Sequence, residues 1–151
     1  MTNCDAVVVL EQAVGEFLEQ AEEAKVTLVK EIRQQPISVL ADGRALWRIL
    51  ENLLSNICKY SAPNSRAYIT LEQNGGKVQF TFKNVSAAPL NITAEELKER
   101  FVRGDESRHS EGSGLGLSIA GSLAELMNGF MDIVIDGDLF KVIVTLPESG
   151  R

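Results

Sequence analysis

At 151 residues, with 44% hydrophobic residues and four prolines, the chain has the length and apolar content of one globular domain, residues 1–151, with its own core. A formal charge of -6 and a pI near 4.9 argue against a surface that tracks the phosphate backbone of DNA or RNA, because that binding relies on clustered Lys and Arg. Cys4 and Cys58 are too few for a disulfide scaffold and are not spaced as a metal site, so both read as free thiols of a reducing compartment.

The elements follow from periodicity. Val7, Leu10, Val14, Phe17, Ala21 and Ala24 recur three and four apart, which predicts an amphipathic helix with Asp5 as its N-cap. The same spacing would suit a coiled coil continued from upstream, but packing on the domain's own sheet is the favoured reading. Residues 26–32 alternate and are β-branched, Gln35-Pro36 interrupts them, and residues 37–40 form a second short strand candidate.

Asp42-Gly43 opens a long helix. Its stripe of Leu46, Ile49, Leu50, Leu53, Leu54 and Ile57 marks a core face, and Pro63 sets its end near Ser61. Residues 66–73 and 77–83 read as a β-hairpin across Asn74-Gly75-Gly76, residue types that tolerate the positive φ of a tight turn. Residues 84–114 are polar, with a short helical stretch at 94–100 and a mixed-charge run at 103–111, a pattern that fits disorder or a functional lid. Helical spacing returns over 115–127 and stops at Asn128-Gly129, and a hairpin of 130–135 and 139–146 closes the chain. This order implies one mixed sheet with helices packed on one face.

Two features carry chemistry. Asn52, Asn56 and Lys59 fall at i, i+4 and i+7 on the face opposite the core stripe of the second helix. Asparagine is a poor interior helix residue, so two on one face suggest side chains placed for use, against the alternative of plain solvated amides. An amide oxygen suits Mg²⁺ beside nucleotide phosphates, and the Lys59 ammonium would complement phosphate charge. The second feature is EGSGLGL at 111–117, where glycines let backbone N–H groups approach an anion at a helix N-terminus. It lacks the third glycine and preceding strand of a dinucleotide fingerprint and the Gly-Lys-Ser/Thr of a P-loop. Arg103 and Arg108 could reach a terminal phosphate or stay solvated, and His109, the one histidine, has no orienting partner in sequence and reads as solvated.

Residues 46–60 (LWRILENLLSNICKY), 99–103 (ERFVR) and 111–117 (EGSGLGL) together resemble, in order and spacing, the N, F and G2 boxes of bacterial sensor histidine kinases. This resemblance implies the Bergerat ATP-binding fold shared with DNA gyrase, Hsp90 and MutL. The expected fold is an α+β two-layer sandwich, with a mixed, mainly antiparallel five-stranded sheet, three main helices on one face and a mobile ATP lid over about 91–115. By the same resemblance Asn56 is the Mg²⁺ ligand. Asn52, Lys59 and Tyr60 lie beside the phosphates and the ribose or base, Gly112, Ser113, Gly114, Leu115, Gly116 and Leu117 shape the lid hinge, and Phe101, Arg103 and Arg108 belong to the lid. Residues 137–140 look like a weak third glycine box.

One box departs from the family pattern. Where an Asp-x-Gly-x-Gly run is usual, this chain reads Asn84-Val85-Ser86-Ala87-Ala88, followed by Leu90 on the expected base side. An Asn84 amide oxygen can accept from the adenine amino group without the charge that strengthens such a bond. Relatives that hydrolyse ATP place a glutamate general base where this chain has Asn52, and an amide cannot take a proton from water. The implied reaction is therefore γ-phosphate transfer from Mg·ATP to a histidine on a dimerisation domain upstream in the parent chain, and indirectly to a response regulator. An anti-sigma-factor-type serine kinase and a catalytically impaired nucleotide-binding module are the alternatives.

No window approaches the roughly 20 consecutive apolar residues of a membrane span, and residues 1–6 lack a secretion pattern. The chain is therefore expected in the cytoplasm, as the cytoplasmic part of a membrane-anchored sensor, without direct membrane contact.

Overall fold

Two aspartates set helix starts in a computed structural model that describes residues 1–88 and 115–149. Asp5 Oδ1 accepts from the backbone N–H groups of Val7 and Val8, both at 3.1 Å, and opens α1 (Ala6–Glu23). Asp42 Oδ1 does the same for Arg44 and Ala45, at 3.0 and 3.1 Å, and opens α2 (Gly43–Tyr60). Each cap satisfies N–H groups that the first helical turn leaves without partners, worth about 1 kcal/mol. The third helix, α3 (Leu115–Leu126), ends in a Schellman turn: Asn128, at φ +65°, and Gly129 donate back to Glu125 and Ala124.

Among the described residues seven strands accompany them: β1 (Thr2–Asp5), β2 (Val26–Ile32), β3 (Ser38–Ala41), β4 (Ser65–Asn74), β5 (Lys77–Val85), β6 (Phe130–Asp136) and β7 (Leu139–Pro147). The main sheet has the order β2-β4-β5-β7-β6, with β2 and β4 parallel and every other pair antiparallel. The parallel pair needs a crossover, and α2 supplies it. Asn74 pairs with Lys77 across Gly75 and Gly76, at φ +60° and +81°, the left-handed pair a two-residue hairpin turn requires. The mixed, mainly antiparallel five-stranded sheet expected from the sequence is therefore present. One feature was not expected: β3 pairs with β1 in a separate two-stranded sheet. The Thr-Asn-Cys-Asp run of β1 has no apolar alternation to announce it, so its pairing rests on the backbone ladder.

The core lies between helices and sheet. Ile69 and Leu71 of β4 sit opposite Phe82 and Phe80 of β5, Phe82, Phe80 and Val78 sit opposite Val142, Val144 and Leu146 of β7, and all of these, with Ala67 of β4, are buried. Against this face pack Leu10, Ala13, Val14 and Phe17 of α1, the whole predicted stripe of α2, and Leu117, Ala120 and Ala124 of α3. Cys58 also turns inward; burial pushes its thiol up from the ordinary 9.0, so it stays protonated at neutral pH and acts as a small core side chain. Among the described residues no helix is long and apolar enough to cross a membrane. The short helical stretch at 94–100, the charged run at 103–111 and most of the expected lid lie outside the described residues.

Two glycines give opposite predictions. A Cβ on Gly129 would lie 2.0 Å from the Thr145 carbonyl oxygen and 2.7 Å from Leu146 Cδ2, whereas one on Gly15, in mid-α1, meets nothing within 4 Å. Gly129→Ala is expected to destabilise the fold by about 2–3 kcal/mol, as overpacked sites do. Gly15→Ala should stabilise it by about 0.5–1 kcal/mol through helix propensity. Urea unfolding of both variants checks the pair.

Candidate functional site

The stripe that fastens α2 to the sheet leaves Asn52, Asn56 and Lys59 on the opposite side of the helix. Asn52 and Asn56 are half-buried and Lys59 is exposed. What half-buries the asparagines is the start of α3. Asn52 Nδ2 donates to the Gly116 carbonyl at 3.4 Å, a long and therefore weak bond. A Cβ built on Gly116 would sit 3.8 Å from Asn52 Cβ and 3.9 Å from Asn56 Nδ2. The asparagine face and the C-terminal end of the glycine motif thus meet in space, 60 residues apart in the chain between Asn56 and Gly116.

The donor set fits a hard cation. Among the described residues no group of three His, Cys, Asp or Glu side chains could hold a metal ion. The oxygen available on this face is an amide, which suits Mg²⁺ that keeps most of its coordination for phosphates and water. Lys59 carries no ion pair among the described residues, so its charge is available to an anion.

The far end of α2 is stitched to the end of β5. Ala62 N–H donates to the Val85 carbonyl and Ala87 N–H to the Tyr60 carbonyl, both at 2.8 Å, and Ser61 bridges to Ser86. Between these backbone ties Asn84 Nδ2 donates to Ser61 Oγ at 2.8 Å, with each residue only 7% exposed. The turn between β6 and β7 closes on the same place: Ser86 N–H donates to the Asp138 carbonyl, next to Gly137 at φ +63°. Residues 84–88, where the family pattern has its adenine box, and 137–140, the expected weak third glycine box, are therefore neighbours.

The predicted residues divide as follows. Asn52 and Asn56, in the C-terminal half of α2, meet Gly116, and Tyr60, the last residue of α2, is followed by Ser61, which accepts from Asn84. Ala88 is exposed and its carbonyl accepts from Ser86 Oγ at 2.7 Å. Leu117 is buried in the core, which leaves its backbone as the part that can face a ligand. Leu115 opens α3. Leu90, Phe101, Arg103, Arg108, Gly112, Ser113 and Gly114 lie outside the described residues. Ser61 was read from sequence only as a helix end. Its pairing with Asn84 depends on a contact between residues 23 apart, which no local pattern announces.

A sequence profile for the histidine kinase-, DNA gyrase B- and HSP90-like ATPases matches residues 41–150. The sensor histidine kinase HprS of Escherichia coli (strain K12) is 38% identical over 114 residues, covering 72% of this chain and 23% of that protein. The sensor protein kinase WalK of Staphylococcus epidermidis is 30% identical over 127 residues, covering 80% of this chain and 21% of that protein. The chain thus spans about a quarter of the length of these relatives. Among solved structures, the catalytic domain of histidine kinase ThkA superposes with a TM-score of 0.84 at 24% identity, over 97% of this chain and 95% of that one. The likeness is one of fold.

If the two asparagines are placed for a ligand and not for the fold, removing them should cost no stability. Asn52→Ala and Asn56→Ala are each expected to unfold at unchanged or slightly higher stability, by about 0.5 kcal/mol, because alanine is the better helix former. A thermal or urea unfolding curve showing a loss above about 1 kcal/mol would mark them as structural instead.

Proposed function

Because the chain belongs to the histidine kinase-, DNA gyrase B- and HSP90-like ATPase family, we propose that it is the ATP-binding catalytic domain of a sensor histidine kinase. In this reading it binds Mg·ATP and presents the γ-phosphate to a histidine on a dimerisation domain of its parent protein. The observation that carries the proposal is the meeting of the Asn52–Asn56 face of α2 with Gly116 at the head of α3. That junction offers an amide oxygen for the metal and helix-start N–H groups for phosphate, and Lys59, on the same face of α2, carries no ion pair among the described residues.

The roles divide along α2. Asn56 would hold Mg²⁺ through its amide oxygen, Asn52 would support the same phosphates, and Lys59 would offset their charge. Bound Mg²⁺ supplies charge neutralisation on the transferring phosphate. Tyr60, Asn84, Ala88 and Leu90 would form the ribose and base end. Gly112, Ser113, Gly114, Leu115, Gly116 and Leu117 would form the hinge, acting through backbone, of a lid over about 91–115 that brings Arg103 and Arg108 to the terminal phosphate.

Transfer is favoured over hydrolysis by residue chemistry at Asn52. A water-activating base would have to accept a proton, and an amide at neutral pH does not. Asn52 is in addition turned toward the Gly116 carbonyl as a hydrogen-bond donor. With water not activated, the γ-phosphate awaits a better nucleophile such as an imidazole. A response regulator would then receive the phosphoryl group from that histidine, and the chain would be the cytoplasmic part of a membrane-anchored sensor; among the described residues no helix is long and apolar enough to cross a membrane.

Calorimetry with Mg·ATP tests the proposal. The chain should bind at micromolar to millimolar nucleotide, and Asn56→Ala should weaken Mg²⁺-dependent binding by at least about tenfold, or roughly 1.4 kcal/mol. Absence of binding by the unaltered chain at millimolar nucleotide would overturn the assignment, and unchanged affinity in the variant would remove Asn56 from the metal site.

A further inference from the structure

The main sheet has a second face, turned away from α2. Along β4 the buried Ala67 and Ile69 face the helices, so the alternation of a strand sends Arg66 and Tyr68 to the other side. By the same alternation Lys83 of β5 and Lys141 of β7, each next to a buried residue, share that outer face. The register sets Tyr68 opposite Lys83, and Lys83 opposite Lys141. Like charges directly opposite one another weaken a sheet. Among the described residues Lys25, Arg66, Lys83 and Lys141 make no ion pair, in a chain whose net charge is -6.

These cations border a cleft of about 710 Å³, lined in part by Lys25, Thr27, Asn64, Arg66, Tyr68 and Val85, and none of its described lining residues is acidic. Thr27 and Arg66 are partners in the parallel β2–β4 ladder. Lys83 Nζ lies 5.2 Å from the centroid of the Tyr68 ring, a cation–π contact that keeps a third positive charge at the rim. Asn64 N–H donates to the Lys25 carbonyl at 2.7 Å and so ties together the two turns that wall the cleft. Lys25 itself stands just past the end of α1 at φ +61°, a left-handed position where glycine is the usual residue and a side chain is strained.

We infer that this cleft is an anion site for a small organic phosphate. The inference does not depend on the nucleotide reading, because Val85 borders the cleft while the adjacent Asn84 turns inward to Ser61. A concavity of this size suits a small molecule. The Arg66 fork and the Lys25 and Lys83 ammonium groups supply several donors to one phosphate, with the Thr27 hydroxyl beside them. Tyr68 and Val85 offer apolar surface to the organic part. A bound phosphate also offsets the charge that Lys83 and Lys141 set against each other, so occupancy should stabilise the fold.

NMR of the 151-residue chain at low ionic strength tests this, with phenyl phosphate as the probe and inorganic phosphate as the probe without an organic part. Phenyl phosphate should shift the backbone amides of Lys25, Thr27, Arg66 and Tyr68 in a saturable way, with a dissociation constant on the order of 1 mM or below. Inorganic phosphate should shift the same amides more weakly, and added salt should weaken both. Arg66→Gln and Lys25→Gly should each weaken phenyl phosphate by at least about threefold, the scale of one exposed charge contact. Lys25→Gly should at the same time keep or raise the urea midpoint, since it relieves the left-handed strain, so its loss of binding cannot be unfolding. Mg·ATP affinity should stay within about twofold in both variants, because neither residue lies on the Asn52–Asn56 face.

Amide shifts confined to Asn56, Lys59 and Gly116, no saturation at millimolar phenyl phosphate, or an affinity unmoved by either variant would each overturn the inference. So would shifts of the cleft amides by polyglutamate, or by vesicles containing phosphatidic acid, where phenyl phosphate produces none.

Discussion

The apolar stripe of α2 is the constraint on which the rest of the molecule depends. Leu46, Ile49, Leu50, Leu53, Leu54 and Ile57 are all buried against the sheet face and the neighbouring helices. Each such side chain contributes about 1.5–3 kcal/mol when removed from water. No other rotation of α2 about its axis keeps that set buried, so the positions of Asn52, Asn56 and Lys59 follow from it. The polar face has no freedom of its own; it points wherever the core leaves it. The start of α3 lies there, with Gly116 against both asparagines.

The same helix also organises the opposite end. Its last turn is tied to the end of β5 by two backbone hydrogen bonds and one buried side-chain pair, so that α2, β5 and the β6–β7 turn share one corner. Asn56 and Ser61 are five residues apart, roughly 7.5 Å along a helix axis. A ligand with an anionic end and a hydrogen-bonding end, of which Mg·ATP is one, can lie along that length.

Helix propensity and the proposed function pull against each other at two positions. Asparagine in a helix interior is unfavourable relative to alanine by a few tenths of a kcal/mol, and the single hydrogen bond that Asn52 makes to Gly116 is too long to offset much of it. Their placement on the face that meets Gly116 is the kind of local disagreement between propensity and structure that the proposed site would account for.

Sequence alone determined whatever depends on local periodicity and turn chemistry. The three described helices, the hairpin turning at Gly75-Gly76, the Asp5 and Asp42 caps and the stripe of α2 are all readable, because each is set by residues within a few positions of one another. The family boxes added the expectation that residues 46–60 and 111–117 converge, and for Asn52, Asn56 and Gly116 the contact is there. Tertiary structure alone decided the pairing of β1 with β3, since Thr2 to Asp5 has no apolar alternation to declare it. It also decided that Asn84 meets Ser61, and that Leu117 turns into the core. Those outcomes depend on which distant backbone groups arrive at the same place, and a hydrogen bond between residues 23 apart leaves no trace in the spacing of either one.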